Sequence, residues 1–174
     1  MIKIFTNYMQ NLVARFQLTF GHPLEEKPTL PTLERFTGRK GWGAIEEIVE
    51  QLFVLSNNEE EFNQTIKTIH SYVDKAAANQ LTKEFILDEK EKLVHLADGL
   101  VDELFFLLGD FCEAGIDAEP IIKIVAESNQ SKLFTDERGN KYVKLNENGK
   151  VMKSPEFFPP EGRIEKEVER QLNK

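Results

Sequence analysis

Two short acidic motifs carry the residues with the clearest chemistry in this sequence. Glu46 and Glu50 stand four residues apart in the segment EEIVE, and Asp98 and Asp102 stand four apart in DGLVD. Residues four apart share one face of an α-helix, so each motif projects a pair of carboxylates in one direction. Two such pairs on packed helices would repel each other unless a hard cation such as Mg²⁺ or Mn²⁺ bound between them. The alternative is a solvated acidic face, which is common in a chain with 30 acidic residues.

Apolar residues surround both acidic motifs at helical spacing, which places the motifs on helices with a buried face. The same periodicity, with its glycine and proline breaks, predicts helices over residues 2–20, 32–55, 59–78, 83–114 and 117–132. A short terminal helix is expected over 164–172. Asn148-Gly149, between strand-like runs at 140–145 and 150–153, predicts a β-hairpin. We therefore predict one all-α domain over residues 1–174: a bundle of four to five helices over 1–132, then a small C-terminal hairpin and tail over 133–174.

A second group of residues could bind phosphate. Asn129 and Lys132 are three apart on the last turn of a predicted helix, and Lys150 and Lys153 follow in the predicted hairpin. An ammonium group pairs naturally with phosphate, and an amide can donate a hydrogen bond to a phosphate oxygen. The alternatives are an ordinary polar helix end and an ordinary hairpin surface. Trp42, just before the first acidic motif, could stack on a nucleobase, although packing in the core is the expected role.

The composition limits the class of partner. The net charge is −8 and the pI is about 5.0, which argues against a general nucleic-acid binder. No apolar run has the length that a membrane helix requires, so no membrane partner is expected. Cys112 is the only cysteine, which excludes an intrachain disulfide and favours a cytoplasmic protein. Neither a P-loop nor a dinucleotide-binding glycine motif is present.

The acidic motifs, Glu46-Glu47-x-x-Glu50 and then Asp98-x-x-x-Asp102, resemble those of the all-α nucleoside triphosphate pyrophosphohydrolases. That superfamily includes MazG-like proteins, phosphoribosyl-ATP pyrophosphatases and dimeric dUTPases, and its hallmark is Glu-Glu-x-x-Glu on one helix and Glu-x-x-Asp on another. The tail segments ESNQSK (127–132), GKVMKSP (149–155) and FPP (158–160) look like the branch often labelled Cof-like or phosphoribosyl-ATP-pyrophosphatase-like. The Cof-like label suggests a haloacid-dehalogenase phosphatase, but the nucleophile motif of that fold is absent.

The resemblance implies a Mg²⁺- or Mn²⁺-dependent enzyme that cleaves a nucleoside triphosphate between its α- and β-phosphates, giving a monophosphate and pyrophosphate. The implied metal ligands are Glu46, Glu50, Asp98 and Asp102. Glu47 is the implied catalytic residue, either as a further ligand or by orienting the attacking water.

The resemblance also implies roles for the tail and for assembly. Asn129, Lys132, Lys150 and Lys153 would hold the phosphates. Family members form dimers or dimers of dimers, so we expect a homodimer or a larger assembly. One departure matters: Gly99 stands where the family has glutamate, and Asp98 is the obvious replacement. This departure favours the competing function, a nucleotide-binding or helical interaction protein that does not hydrolyse its ligand.

Overall fold

The computed structural model describes residues 5–147 and 150–173, and helices account for most of them. The elements are α1 (Tyr8–Thr19), α2 (Leu33–Gly38), a π-helical segment (Arg39–Ile45), α3 (Glu46–Leu55), α4 (Glu59–Gln80), α5 (Glu89–Ala114), α6 (Ala118–Gln130), β1 (Phe134–Thr135), β2 (Lys141–Tyr142) and α7 (Glu161–Leu172). The predicted all-α fold with a small C-terminal hairpin is confirmed. Contacts divide the chain into two compact units, one of residues 28–97 and one of residues 1–27 with 98–174. The extent of a single domain over 1–174 stays a prediction.

Helix α1 begins at Tyr8, later than the predicted start at residue 2. The side chain of Asn7 accepts a hydrogen bond from the backbone N–H of Gln10 at 3.0 Å, which is the geometry of a helix N-cap. Asn11 holds the preceding chain by two hydrogen bonds to the backbone of Phe5, at 2.8 and 2.6 Å. Residues 5–7 therefore lie outside the helix, and residues 2–4 of the predicted helix lie outside the described residues.

In the unit of residues 1–27 and 98–174, α6 packs against α1 and α7. Asp117 caps the start of α6, and its backbone exchanges hydrogen bonds with the Gln171 side chain near the end of α7, at 2.8 and 3.2 Å. At the other end of α6, Glu127 pairs with Arg163 in the first turns of α7 at 3.1 Å. The two helices are therefore antiparallel. Ala14 of α1 and Leu133, just after α6, are the buried apolar residues of the described chain.

In the unit of residues 28–97, α2, the π-helical segment and α3 follow one another without a break. Thr32 caps α2 at the start of the helix predicted over 32–55, and this helix has a π-helical middle that contains Gly41 and Gly43. Glycine lacks the side chain that stabilises regular α-geometry, so a wider turn is tolerated there. Asn58 caps α4, and the ring of Phe62 meets that of Phe53 in α3 edge to face at 5.4 Å.

Helix α5 begins at Glu89, six residues later than predicted. Asp88 accepts a hydrogen bond from the backbone N–H of Glu91 at 2.8 Å and so caps the helix, while residues 84–88 have no regular structure. The helix ends at Ala114 as predicted, because Gly115 takes the left-handed conformation (φ +68°) that glycine adopts without strain. Helix α6 ends at Gln130, two residues before the predicted end at residue 132.

The regular hairpin lies upstream of the predicted one. Strands β1 and β2 pair antiparallel across a turn at residues 136–139, in which Asp136 accepts hydrogen bonds from the backbone of Arg138 and Asn140. Gly139 has φ +83° and completes this turn. Of the predicted hairpin, the described part holds one antiparallel bridge, between Leu145 and Val151. The predicted turn residues Asn148 and Gly149 lie outside the described residues.

Many large apolar side chains of the described chain are exposed, and the densest group lies on α5. No residue of α5 is buried, and Phe105 and Phe106 are 76% and 74% exposed. The other large apolar residues exposed on this helix are Val94, Leu100, Val101, Leu104, Leu107 and Leu108. Among the described residues, we find no helix whose length and apolar character would allow it to span a membrane.

Candidate functional site

The first acidic motif begins α3. Glu46 is the first residue of this helix and follows directly on the π-helical segment, so Glu46 and Glu50 lie one turn apart on the same face. Both side chains, and that of Glu47, are exposed. π-Helical turns inside longer helices are frequent at functional sites, because they change the direction in which the following side chains point. The structure thus places the predicted glutamates at the position where the helix geometry changes.

The second acidic motif lies in the middle of α5. Asp98 and Asp102 are one turn apart on one face, and both are exposed. Gly99 lies between them, and a Cβ atom built there would meet nothing within 4 Å. A side chain at this position is therefore sterically possible, so lack of space does not explain why this chain lacks the family's glutamate.

The donor chemistry of both pairs fits a hard divalent cation, because Mg²⁺ and Mn²⁺ prefer carboxylate and water oxygens. Within residues 5–147 and 150–173, however, no three Asp, Glu, His or Cys side chains come together as a metal site. The set of four metal ligands therefore stays a prediction, and so does the catalytic role of Glu47.

The structure gives the phosphate-binding candidates a defined geometry at the end of α6. The Nζ of Lys132 donates a hydrogen bond to the Oδ1 of Asn129 at 2.6 Å, as their spacing of three residues allows. Partial burial lowers the pKa of Lys132, and the positive charges of Lys153 and then Lys150 lower it further. The structure therefore brings Lys132, Lys150 and Lys153 close enough for their charges to interact; we call these three residues the lysine cluster.

The lysine cluster lacks negative partners in the described part of the chain, where no carboxylate forms an ion pair with any of its members. Lys153 places its ammonium 4.6 Å from the centre of the Phe157 ring, a weak cation–π contact. The backbone N–H of Lys150 donates to the Oδ1 of Asn146 at 2.8 Å. Three neighbouring positive charges without an acidic partner among the described residues could bind a phosphate chain, and the phosphate-binding role of these lysines stays a prediction.

Sequence reasoning missed the three serines beside these residues. Ser128 and Ser154 are buried, and with Ser131 they bond the tail to the end of α6. We call Ser128, Ser131 and Ser154 the serine clamp. The tail segments 127–132 and 149–155 contain these serines, but serine in a polar segment is too common for its presence alone to indicate a role.

The expectation that Trp42 packs in a core is wrong for the described chain. Trp42 lies in the π-helical segment one turn before Glu46 and is 74% exposed. Its indole ring is therefore accessible to a ligand or a partner.

Comparison with known proteins identifies the family. Residues 13–129 match the family model of phosphoribosyl-ATP pyrophosphohydrolase, a region that contains both acidic motifs and ends at Asn129. Among solved structures, the chain is similar to the crystal structure of a proposed NTP pyrophosphohydrolase from Exiguobacterium sp. 255-15. The two share 36% sequence identity with a TM-score of 0.88, covering 96% of this chain and 97% of the other. No curated protein gives a significant match. The chain belongs to the phosphoribosyl-ATP pyrophosphohydrolase family, within the all-α nucleotide pyrophosphohydrolases.

Proposed function

We propose that this protein is a Mg²⁺-dependent nucleoside triphosphate pyrophosphohydrolase, with Mn²⁺ as a possible substitute ion. It cleaves an NTP or dNTP between the α- and β-phosphates and releases a monophosphate and pyrophosphate. The family match over residues 13–129 is the observation that carries this proposal, because it includes the carboxylate pairs on α3 and α5.

The carboxylates have the metal-binding role in this proposal. Glu46 and Glu50 on α3, with Asp98 and Asp102 on α5, would hold the divalent ion, which would supply the charge that neutralises the triphosphate and activates a water. Glu47 orients the attacking water, since a carboxylate in the same first turn can accept a hydrogen bond from it.

The lysine cluster and Asn129 hold the phosphate chain. A nucleoside triphosphate carries its negative charge on the phosphates, and three ammonium groups without an acidic partner in the described chain complement that charge. Because Lys132 is partly desolvated, its interaction with a phosphate oxygen is less screened by water than that of an exposed lysine.

The active form is a homodimer or a dimer of dimers, and a second copy completes the site. Obligate dimers bury about 1,000–2,500 Å² per chain. The exposed apolar side chains of α5 are the kind of surface that such an interface requires.

Sedimentation across a micromolar concentration range tests the assembly. We expect a dimer or larger species, and a stable monomer over the whole range would contradict the proposal. Phe105→Asp should shift the equilibrium toward monomer, because it places a charge in the apolar surface of α5. Lys123→Asp, an exposed site on α6, is the matched control for adding a carboxylate.

A pyrophosphate-release assay over a panel of nucleotides, with and without Mg²⁺, tests the activity. We expect ³¹P spectra of the products to show a monophosphate and pyrophosphate, and EDTA to stop the reaction. A nucleoside diphosphate with inorganic phosphate as products would contradict cleavage between the α- and β-phosphates.

A second candidate function is a nucleotide-binding or helical interaction protein without hydrolysis, which the glycine at position 99 favours. The same assay separates the two functions, because this candidate binds nucleotides in calorimetry but releases no pyrophosphate. For either function we propose a cytoplasmic protein that acts without nucleic acid or membrane, consistent with the single cysteine and the net charge of −8.

A further inference from the structure

Each member of the serine clamp stands next to a residue that is proposed to bind phosphate. The pairs are Ser128 with Asn129, Ser131 with Lys132, and Ser154 with Lys153. Ser128 and Ser154 are only 3% and 6% exposed, whereas serine is usually found at the surface. A buried hydroxyl needs hydrogen-bond partners, so the contacts of these serines indicate what they hold together.

Two of the serines attach α6 to Phe158. The hydroxyl of Ser128 donates to the Phe158 carbonyl oxygen at 2.8 Å. The hydroxyl of Ser131 accepts from the Phe158 backbone N–H at 3.2 Å and donates to the Ser128 carbonyl at 2.7 Å. One residue of the tail thus has both of its backbone polar groups bonded to the last turn of α6.

The third serine makes the reciprocal contact from the tail. The hydroxyl of Ser154 donates to the Ser131 carbonyl oxygen at 2.8 Å and accepts from the backbone N–H of Glu156 at 3.1 Å. The carbonyl of Ser131 is one of the helix-end groups that has no partner within the helix, so this bond satisfies it. The residue next to Lys153 is therefore bonded to the residue next to Lys132.

We propose that the serine clamp positions the lysine cluster as a preformed site for the phosphate chain of the substrate. This inference rests on the proposed function and adds residues that touch no substrate themselves. Like charges repel, so separate segments carrying Lys132 and Lys153 would move apart if nothing held them. The hydrogen bonds of the clamp oppose this repulsion before any anion arrives, and the anion then binds without the cost of ordering the tail.

Inorganic tripolyphosphate in EDTA is the probe that tests this inference, because without metal it reports on the lysines alone. Ser131→Ala removes two bonds of the clamp, and Ser154→Ala removes the bond from the tail. Each should weaken tripolyphosphate binding by about tenfold, which corresponds to roughly one net hydrogen bond. Ser131→Thr keeps the hydroxyl and should bind as the wild type does. Ser71→Ala, which removes an exposed hydroxyl bond to the Thr68 carbonyl, is the matched control.

NMR titration of the lysine side chains gives a second readout that a purely structural role would not change. When the clamp is broken, Lys153 moves away and the pKa of Lys132 should rise toward its ordinary value. Circular dichroism establishes that each variant is folded, and Ser154→Ala replaces Ser131→Ala if the latter does not fold.

Kinetics should show the same separation, because a broken clamp disorders the phosphate site without altering the carboxylates. Both alanine variants should raise KM for the nucleotide more than they lower kcat. The inference is overturned if the wild type does not bind tripolyphosphate, or if folded alanine variants bind it as the wild type does. If the wild type binds tripolyphosphate and the alanine variants bind it more weakly, but no nucleotide is hydrolysed, the proposed function is contradicted and the clamp is supported.

Discussion

Substitution of Gly99 by alanine, glutamine and glutamate tests whether this face of α5 carries the metal. Glycine in the interior of an exposed helix costs about 1 kcal/mol relative to alanine. A Cβ at position 99 meets no atom within 4 Å, so no steric penalty opposes the gain. Gly99→Ala should therefore stabilise the protein by about 1 kcal/mol, which corresponds to roughly 2–4 °C in Tm for a chain of this size.

Gly99→Glu restores the family's glutamate and should respond to metal. Without metal, the new carboxylate lies three residues from Asp102 and four from Glu103, and each like-charge pair costs about 0.2–0.5 kcal/mol. The gain in helix propensity, about 0.5 kcal/mol, is then cancelled. Gly99→Gln has nearly the same shape without the charge and should keep that gain.

Urea unfolding at one fixed protein concentration, with EDTA and then with millimolar Mg²⁺, measures these differences. We expect Mg²⁺ to stabilise the wild type, because a cation that binds only the folded state relieves the repulsion among its carboxylates. It should stabilise Gly99→Glu more than Gly99→Gln. Equal stabilisation of these two variants would show that position 99 does not face the metal and would refute the reasoning from the family pattern.

The remaining predictions concern the roles of single residues. Glu50→Gln and Asp102→Asn should each abolish hydrolysis and weaken Mg²⁺ binding with the fold intact, because the amide lacks the charge that the ion needs. Refolding these two inactive variants together should restore part of the activity if two copies share a site, and no recovery would contradict sharing. Asp98→Ala should behave like Asp102→Asn, and near-normal activity would show that Asp98 does not replace the missing glutamate. Tripolyphosphate binding requires the charged form of Lys132, whose pKa is lowered, so its affinity should begin to fall at a lower pH than for a site with an ordinary lysine. Calorimetry should show this fall in the wild type and in the control Lys123→Ala, but not in Lys132→Ala.

The sequence by itself determined the helical class and several helix boundaries. Thr32 and Asp117, the first residues of two predicted helices, are the N-caps of α2 and α6, and Gly115 ends α5, because capping depends on side chains and backbone angles within one turn. The apolar periodicity placed the starts of α1 and α5 too early. These helices begin after their N-cap residues, Asn7 and Asp88. The sequence also predicted that the two carboxylates of each acidic pair share one face of a helix, because residues four apart lie on the same side.

Only the tertiary structure decided how the tail and the lysines are arranged. The bonds that tie the tail to α6 in the serine clamp join residues 23 to 30 positions apart, and the pKa of Lys132 depends on burial and on charges from another segment. Periodicity carries no information about which distant segments meet, so Ser128 and Ser131 were indistinguishable from an ordinary polar helix end. The sequence also did not predict that the apolar residues of α5 are exposed in a single chain. An apolar helix face has the same sequence whether its own chain or a second copy covers it.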